Sequence, residues 1–318
     1  MNIISEEMLK KGQNKEAVSG VILVNSYNTA LTKNGKEYIT GQLQSGVNIP
    51  FKAWGNTSAF TELKNNDYNN VPSYISGSFD TFGGTVSITV DSINAVEGFT
   101  PDMFFQIKYN ADAYLDALKT LTFKRMTEKA QKYANKILFD NTEVLERFKV
   151  EFAASSHHDN CKSGLLAHTY KMCANMNHIF NLYPNIIKKA NPENPSDFQD
   201  VCMLGALLHD IGKIDEMEFG VYQPISRVTH RYLGTEMIYP YKDEIIKDYS
   251  EVWYYDLISI MLQHHGEYGD DCKTLCSFIV HEADNLDAKF TLIEQLLENP
   301  TEASSGKKIK VDSKVLNL

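Results

Sequence analysis

LLHDIGK, at residues 207–213, places a histidine and an aspartate side by side at the end of an apolar stripe. The stripe consists of four residues at helical spacing, which predicts a buried helix: Leu204, Leu207, Leu208 and Ile211. Burying His209 and Asp210 together is costly unless another group compensates for their desolvation. Gly212 favours a helix end there, because glycine readily adopts the left-handed conformation. A divalent cation bound by both side chains would remove the desolvation problem.

Further candidate ligands lie on both sides of this motif in the helical half of the chain: His168, His230, His264, His265 and Asp284. Imidazoles combined with carboxylates suit Mn, Fe, Zn, Co or Ni better than Ca. Six or seven such ligands exceed what one tetrahedral zinc site needs. The pattern therefore predicts two divalent cations that share a bridging carboxylate.

The chain changes character near residue 100. Five short β-rich runs precede it, at residues 18–24, 38–43, 47–54, 74–79 and 84–90. Asn34-Gly35 lies between two of them and is a strong hairpin signal. Five short strands in about 80 residues favour a small barrel, and the OB-fold is the common five-stranded type.

After Pro101 the apolar spacing becomes helical. We therefore predict a multidomain α+β protein with an N-terminal five-stranded OB-fold β-barrel followed by an all-α domain. The predicted parts are an N-terminal extension at 1–16, a nucleic-acid-binding OB-fold at 17–100, a helical linker at 101–150, the all-α domain at 151–295 and a C-terminal tail at 296–318.

The composition favours a cytoplasmic globular protein. The chain has 318 residues, 43% of them hydrophobic and 23% charged. No apolar run approaches the roughly 20 residues of a membrane helix, and the first residues lack the apolar core of a secretory signal. The five cysteines have no CxxC spacing and are expected to be reduced thiols. The net charge of −10 argues against a dedicated duplex-DNA binder.

The motifs resemble those of a known family. The combination of HD-x-GK, a histidine after Gly-Leu-Leu, His-His-Gly and a late helical aspartate resembles the HD superfamily of metal-dependent phosphohydrolases. Over residues 17–290 the chain is similar to the YhaM-type 3′-5′ exoribonucleases, also called CMP-binding factors, which place an OB-fold before an HD domain. The stretch between Lys213 and His230 departs from the family by lacking a Gly-His pair.

This resemblance implies an HD-type helical domain and a 3′-5′ exonuclease acting on single-stranded RNA, or also DNA. It would release nucleoside 5′-monophosphates through a hydroxide shared by two cations, with Mn²⁺ favoured over Mg²⁺, Fe²⁺, Co²⁺, Ni²⁺ or Zn²⁺. Asp210 would bridge the ions. The remaining ligands would divide into two sets, one with His168, His209 and Asp284 and the other with His230, His264 and His265.

Three more residues are candidates for supporting roles. Lys213 follows the central motif and can contact phosphate, although it can equally complement a helix dipole. His158 precedes the helix of His168 and is a candidate for phosphate contact or leaving-group protonation. His281 lies one helical turn before Asp284 and is expected to support a ligand without binding metal.

Five residues are candidates for binding the nucleic acid: Tyr38, Phe51, Trp54, Lys124 and Arg125. OB-folds stack bases on aromatic side chains of the barrel face. Phe51 and Trp54 are three positions apart and point to opposite sides of an unbulged strand, so at least one is expected in the core. The basic stretch around Lys124 can guide a phosphate backbone, or it can be an ordinary solvated helix face.

Other functions stay open from the sequence alone. The His264-His265 pair resembles the HD-GYP phosphodiesterases, but the Gly-Tyr-Pro of that group is absent, which leaves a phosphodiesterase for small or cyclic nucleotides as an alternative. A nucleic-acid-binding module with a structural metal site is another, and an iron oxygenase on the same helical scaffold a third. A homo-oligomer is also open, and no membrane partner is expected.

Overall fold

The computed structural model describes residues 1–82, 85–154, 159–298, 301–303, 306–311 and 314–317. The chain divides into two compact units, Met1–Ile107 and Lys108–Leu318. Each unit contains its own cluster of buried hydrophobic side chains.

The first unit is a closed five-stranded barrel with strand order β1-β2-β3-β5-β4. Its elements are α1 (Glu6–Lys11), β1 (Ala17–Leu31), β2 (Glu37–Ser45), β3 (Val47–Trp54), α2 (Ser58–Asn65), β4 (Val71–Phe82), β5 (Thr85–Ala95) and a 3₁₀ turn at Pro101–Phe104. All neighbouring pairs run antiparallel except β3 and β5, which pair in parallel at Phe51 and Ile88. The predicted OB-like barrel is confirmed.

Turn chemistry sets the register of the first hairpin. Gly35 adopts a φ of 73°, which glycine tolerates without a steric penalty. Thr32 accepts a backbone hydrogen bond from Gly35 at 2.9 Å and donates one to Lys36 at 2.8 Å. Beyond the turn, Tyr38 lies directly opposite Trp54 on β3.

The second unit is predominantly helical, and the predicted helical region with an HD-type arrangement is confirmed. Its helices are α3 (Ala111–Phe123), α4 (Glu128–Ala134), α5 (Thr142–Val150), α6 (Gly164–Leu182), α7 (Pro184–Ala190), α8 (Pro195–Leu208), α9 (Lys213–Glu216), α10 (His230–Ile238), α11 (Lys242–Asp248), α12 (Glu251–Gln263) and α13 (Leu275–Glu298). A π-helical stretch spans Asn135–Phe139, and 3₁₀ turns occupy Pro224–Arg227, Tyr239–Tyr241 and Gly266–Tyr268.

Short strands complete this unit. A hairpin of β6 (Met217–Glu218) and β7 (Val221–Tyr222) lies between α9 and α10. Near the C-terminus, β8 (Thr301–Ala303), β9 (Gly306–Val311) and β10 (Lys314–Asn317) form an antiparallel sheet.

The core of the helical unit forms where α6, α8, α12 and α13 contact one another. The predicted stripe is buried there, with Leu204, Leu207 and Leu208 on α8 and Ile211 just beyond its end. Residues 111–150, which the sequence analysis placed in a linker, contribute Leu118, Tyr133 and Phe148 to the same core. Across the described residues, no helix combines the length and the apolar character needed to cross a membrane.

The explanation offered for Gly212 is wrong. Its φ is −66°, so it is right-handed and forms no left-handed cap. A side chain there would instead collide with α10, because an added Cβ would lie 2.1 Å from the carbonyl oxygen of His230 and 2.5 Å from the amide of Gly234. Glycine at this position therefore lets α10 approach the end of α8.

Candidate metal centre

Asp210 lies at the centre of a buried cluster of histidines and carboxylates. It follows directly on His209, the C-cap of α8, and only 2% of its surface is exposed. Its two carboxylate oxygens face different groups of side chains, which are called the His168 subsite and the His230 subsite below.

The His168 subsite consists of His168, His209, Asp284 and Oδ2 of Asp210. The Nε2 atoms of His168 and His209 are 3.2 Å apart, and they lie 3.5 and 3.3 Å from Asp210 Oδ2. Asp284 Oδ1 lies 3.1 Å from His168 Nε2 and 3.9 Å from His209 Nε2. Ligands of one transition-metal ion, each about 2.1 Å from it, are typically separated by such distances.

The His230 subsite consists of His230, His264, His265 and Oδ1 of Asp210. Asp210 Oδ1 is 3.4 Å from His230 Nε2 and 3.5 Å from His264 Nε2. The ring of His265 packs against those of His264 and His230, with centroids 4.4 and 5.0 Å apart. One ligand atom from each of the four residues lies within 4.8 Å of all the others.

Four of the histidines are oriented in the same way, since each points Nδ1 outward to an acceptor. His168 Nδ1 bonds Asp287 Oδ2 at 2.7 Å and His230 Nδ1 bonds Glu216 Oε2 at 2.7 Å. His209 and His264 use backbone carbonyl oxygens at 2.9 and 3.0 Å. An Nδ1–H that donates outward leaves Nε2 directed inward, as in metal-binding histidines.

Three inward-facing polar atoms of the His230 subsite lack a hydrogen-bond partner among the described residues. Within the described part of the chain, three buried side-chain atoms without a hydrogen bond meet here, Asp210 Oδ1, His230 Nε2 and His264 Nε2. Buried polar atoms are normally paired, and three acceptors facing one point cannot pair with each other. A cation is the partner that suits all three, so this donor set fits a divalent metal.

The carboxylates of the site are ionised. Burial opposes their charge, but Lys213 and His209 hold the pKa of Asp210 well below its usual range. Burial likewise opposes the charge of Asp284, whose pKa is lowered by its hydrogen bond with His168. Ionised carboxylates are the form that binds metal.

The pKa values of three site histidines are shifted, and not all in the same direction. Burial lowers the pKa of His264 to about 4, and burial together with the neighbouring His264 lowers the pKa of His265 to about 3. At His168 burial acts in the same direction, but hydrogen bonds with Asp284 and Asp287 raise the pKa to about 10. Metal binding at His168 would thus release a proton, whereas His264 and His265 are already neutral.

Asp287 and Lys171 stabilise His168 from behind. Lys171 Nζ lies 2.7 Å from Asp159 Oδ2, 2.7 Å from Thr291 Oγ1 and 3.6 Å from Asp287 Oδ1. Asp159 is completely buried and also accepts the hydroxyl of Tyr109. A single ammonium group therefore compensates two buried carboxylates, one of which orients His168.

Two carboxylates that orient ligands, Asp287 and Glu216, are not among the residues predicted from the sequence. The spacing of Asp287, three residues after Asp284 on one helix, is a signal that could have indicated it. Nothing comparable marks Glu216, which only the fold brings to His230.

The remaining predicted site residues are distributed as follows. Lys213 Nζ lies 2.6 Å from Asp210 Oδ2, directly beside the ligands. His281 Nδ1 bonds the backbone oxygen of His264 at 2.7 Å, so it contacts a ligand residue without facing the cluster. His158 lies outside the described residues.

The predicted nucleic-acid-binding residues differ in accessibility. Phe51 is completely buried in the barrel core, so its ring cannot stack on a base, and that assignment is corrected. Trp54 points outward with 37% of its surface exposed, and its ring centroid is 5.2 Å from that of Tyr38. Lys124 is exposed, whereas Arg125 bonds Asn177 and Asn181 of α6.

Comparisons with known proteins agree with this geometry. The HD domain family matches residues 165–289. The 3′-5′ exoribonuclease YhaM of Halalkalibacterium halodurans is 24% identical over 309 residues, which cover 93% of this chain and 90% of that protein. The enzyme of the same name from Oceanobacillus iheyensis is 25% identical and covers 89% and 87%, respectively.

Among solved structures, a chain from a replication protein A heterotrimer bound to single-stranded DNA is 18% identical. The match covers 25% of this chain and 57% of the replication protein A chain. Its TM-score of 0.19 is too low to bear on the fold. The curated relatives and the HD match together support a nuclease or phosphohydrolase with a divalent-metal site. The chain is accordingly similar over about nine tenths of its length to the YhaM exoribonucleases, and it has an OB-like barrel followed by a region that matches the HD domain.

Proposed function

We propose that this protein is a metal-dependent exonuclease that shortens single-stranded RNA, and also single-stranded DNA, from the 3′ end and releases nucleoside 5′-monophosphates. One observation carries the proposal: the two carboxylate oxygens of Asp210 face separate sets of histidines. Two cations, with Mn²⁺ favoured, fit a carboxylate used in this way. The names of the relatives supply the polymer substrate and the direction.

The residues of the chain would form two binding sites that share Asp210. His168, His209, Asp284 and Asp210 Oδ2 would bind one ion, and His230, His264, His265 and Asp210 Oδ1 the other. Bound divalent cations would supply an activated water near neutral pH and neutralise phosphate oxygens. The Lys213 ammonium beside Asp210 adds a fixed positive charge for a phosphate oxygen. His158 stays a prediction for leaving-group protonation.

The barrel would supply binding along the strand. Trp54 and Tyr38 form an aromatic pair, and Lys52 lies 6.0 Å from the Trp54 ring centroid. A cleft of about 870 Å³ adjoins Trp54 and is lined also by Phe60, Asn34 and Lys36. Aromatic stacking beside a lysine suits single-stranded nucleic acid of many sequences. The cytoplasmic location expected from the sequence stays a prediction.

The test is incubation of 5′-labelled single-stranded RNA and DNA with Mn²⁺ or Mg²⁺, followed by sizing of the products. A ladder that shortens from the 3′ end, with nucleoside 5′-monophosphates released, is expected for the wild type and not for Asp210→Asn. Intact RNA together with hydrolysis of a cyclic dinucleotide would move the function to small nucleotides. Metal-dependent RNA binding without turnover of either substrate would indicate a binding module.

The contribution of the barrel is tested with Trp54→Ala. Loss of one stacked base costs about 1–3 kcal/mol, so oligonucleotide affinity should fall roughly 5- to 150-fold. Trp54→Phe keeps an aromatic surface and should retain most of the affinity. Hydrolysis of a small phosphodiester should be unchanged in both variants, and equal loss on both substrates would contradict a binding role for the barrel.

A further inference from the structure

The hairpin between α9 and α10 contains an unusual turn. Phe219 and Gly220, which join β6 to β7, have φ angles of 49° and 75°. Two consecutive residues with positive φ are typical of a tight hairpin turn, but a non-glycine residue adopts this conformation at a cost. The two strands have only two residues each, and a hairpin of this size is not stable by itself.

Glu151 holds this turn. Its Oε1 accepts the amides of Phe152 and Gly220, both at 2.9 Å, and its Oε2 accepts the amide of Phe219 at 3.1 Å. The side chain is buried, with 5% of the residue exposed. Burial raises its pKa, and the three amide bonds act in the opposite direction. Both oxygens of one buried carboxylate are thus committed to the backbone of the turn.

The adjoining residues hold the same segment from other directions. The ring of Phe152 lies where a side chain at Gly220 would be, 2.8 Å from an added Cβ. Arg147, one helical turn before Glu151, bonds the backbone oxygen of Ile214 and pairs with Asp215 at 2.7 Å. The C-terminal end of α5 therefore contacts the segment both before and after Glu216.

Glu216 connects the hairpin to the metal centre. It directly precedes β6, is 6% exposed, and accepts His230 Nδ1 at 2.7 Å. The amide of Gln223, just after β7, bonds the Glu216 backbone oxygen at 2.9 Å. The position of the Glu216 carboxylate therefore depends on the hairpin being closed.

We infer that Glu151 is a positioning residue for the His230 subsite. By fixing the Phe219–Gly220 turn, it holds Glu216 where that carboxylate orients His230 toward Asp210. Glu151 contacts no ligand and acts only through the hairpin. This inference rests on the proposed metal site, whose ligands must be oriented within a few tenths of an ångström to bind well.

The test is Mn²⁺ titration of the full-length chain by electron paramagnetic resonance and calorimetry. Glu216→Gln should weaken one of two Mn²⁺ sites by about 10- to 100-fold, as is usual when a carboxylate behind a metal-binding histidine is lost. Glu151→Gln should weaken the same site by about 10-fold and leave the other unchanged, because the amide group of glutamine places a donor against a backbone donor. The double variant should bind Mn²⁺ at this site as tightly as Glu216→Gln alone, because Glu151 acts only through Glu216 and the two effects should not add.

Glu218→Gln is the matched control, because it removes the same charge from an exposed residue of β6 and should leave both affinities unchanged. If Glu151→Gln fails to fold, as judged by circular dichroism, Gly220→Ala strains the same turn without altering Glu151 and must weaken the same site. Unchanged Mn²⁺ affinities in a folded Glu151→Gln, or effects that multiply in the double variant, would overturn the inference. Two normal Mn²⁺ sites without RNA turnover would instead overturn the proposed exonuclease and leave this inference intact.

Discussion

The two subsites around Asp210 present similar ligand geometry but are supported in different ways. His168 lies on the 19-residue α6 and is backed by Asp287 on the 24-residue α13. His230 is the first residue of the nine-residue α10 and is backed by Glu216 from a four-residue helix. The His168 subsite is thus held by long helices packed in the core. The His230 subsite is held by a short segment that depends on the hydrogen bonds from the hairpin to Glu151.

This difference affects expected metal affinity. The His168 subsite adds Asp284 to the shared Asp210, whereas the His230 subsite adds only imidazoles. A second carboxylate and a more rigid scaffold both favour tighter binding of a hard cation such as Mn²⁺. We therefore expect two unequal affinities, with the tighter site at His168, and the following changes test that order.

The largest effect is expected from Asp210→Asn, because it removes the group that both subsites share. Losing metal-based charge stabilisation worth several kcal/mol should lower turnover of RNA at least about 1000-fold. Both Mn²⁺ affinities should fall together, measured by titration on the same sample. Asp243→Asn, on the exposed face of α11, is the control. Loss of only one Mn²⁺ site would show that Asp210 does not bridge.

Lys171→Met should have the next largest effect, and this effect is on the free energy of unfolding. It leaves Asp159 and Asp287 buried without their shared cation, which should lower the free energy of unfolding by about 3 kcal/mol. This value is at the lower end of the free-energy loss expected when a buried ion pair is broken, because the Lys171 side chain is 25% exposed. Urea denaturation measures the change, with Lys188→Met on the surface of α7 as the control. A loss below about 1 kcal/mol would mean that the network adds little to the rigidity of this subsite.

Asp287→Asn should act on one subsite only. Without the carboxylate behind His168, the tighter Mn²⁺ affinity should fall about 10- to 100-fold and the weaker one should stay unchanged. Calorimetric titration separates the two. Glu282→Gln, which removes an exposed carboxylate from the same helix, should change neither. If Asp287→Asn weakens the looser site instead, the assigned order of affinities is reversed.

The smallest effect is expected from Tyr109→Phe. It deletes the hydroxyl that bonds the buried Asp159 and should cost about 1.5 kcal/mol of unfolding free energy, the lower value for a hydrogen bond to a charged group. Mn²⁺ affinities should stay within a factor of two, because Lys171 still pairs with Asp159. Tyr183→Phe, on an exposed ring, provides the comparison for urea denaturation. A selective drop at the tighter Mn²⁺ site would instead extend the supporting network to Tyr109.

The sequence alone determined the fold class and the set of candidate ligands. Alternating β-rich runs with an Asn-Gly turn predicted the barrel, because strand and hairpin signals are local. The helical stripe ending at His209 and Asp210 predicted a buried helix with polar residues that need a partner, because desolvation cost follows from residue type. The three-residue spacing of Phe51 and Trp54 also predicted that these two side chains point in opposite directions, since side chains alternate along a strand.

Only the tertiary structure decided the rest. Which ring faces the core, Phe51 and not Trp54, depends on how the strand is placed in the closed barrel. The pairings of Glu216 with His230 and of Glu151 with the hairpin join residues from separate elements. Gly212 proved necessary for the approach of α10 and not for a left-handed helix cap. Such contacts depend on chain packing between distant segments, which local residue patterns do not encode.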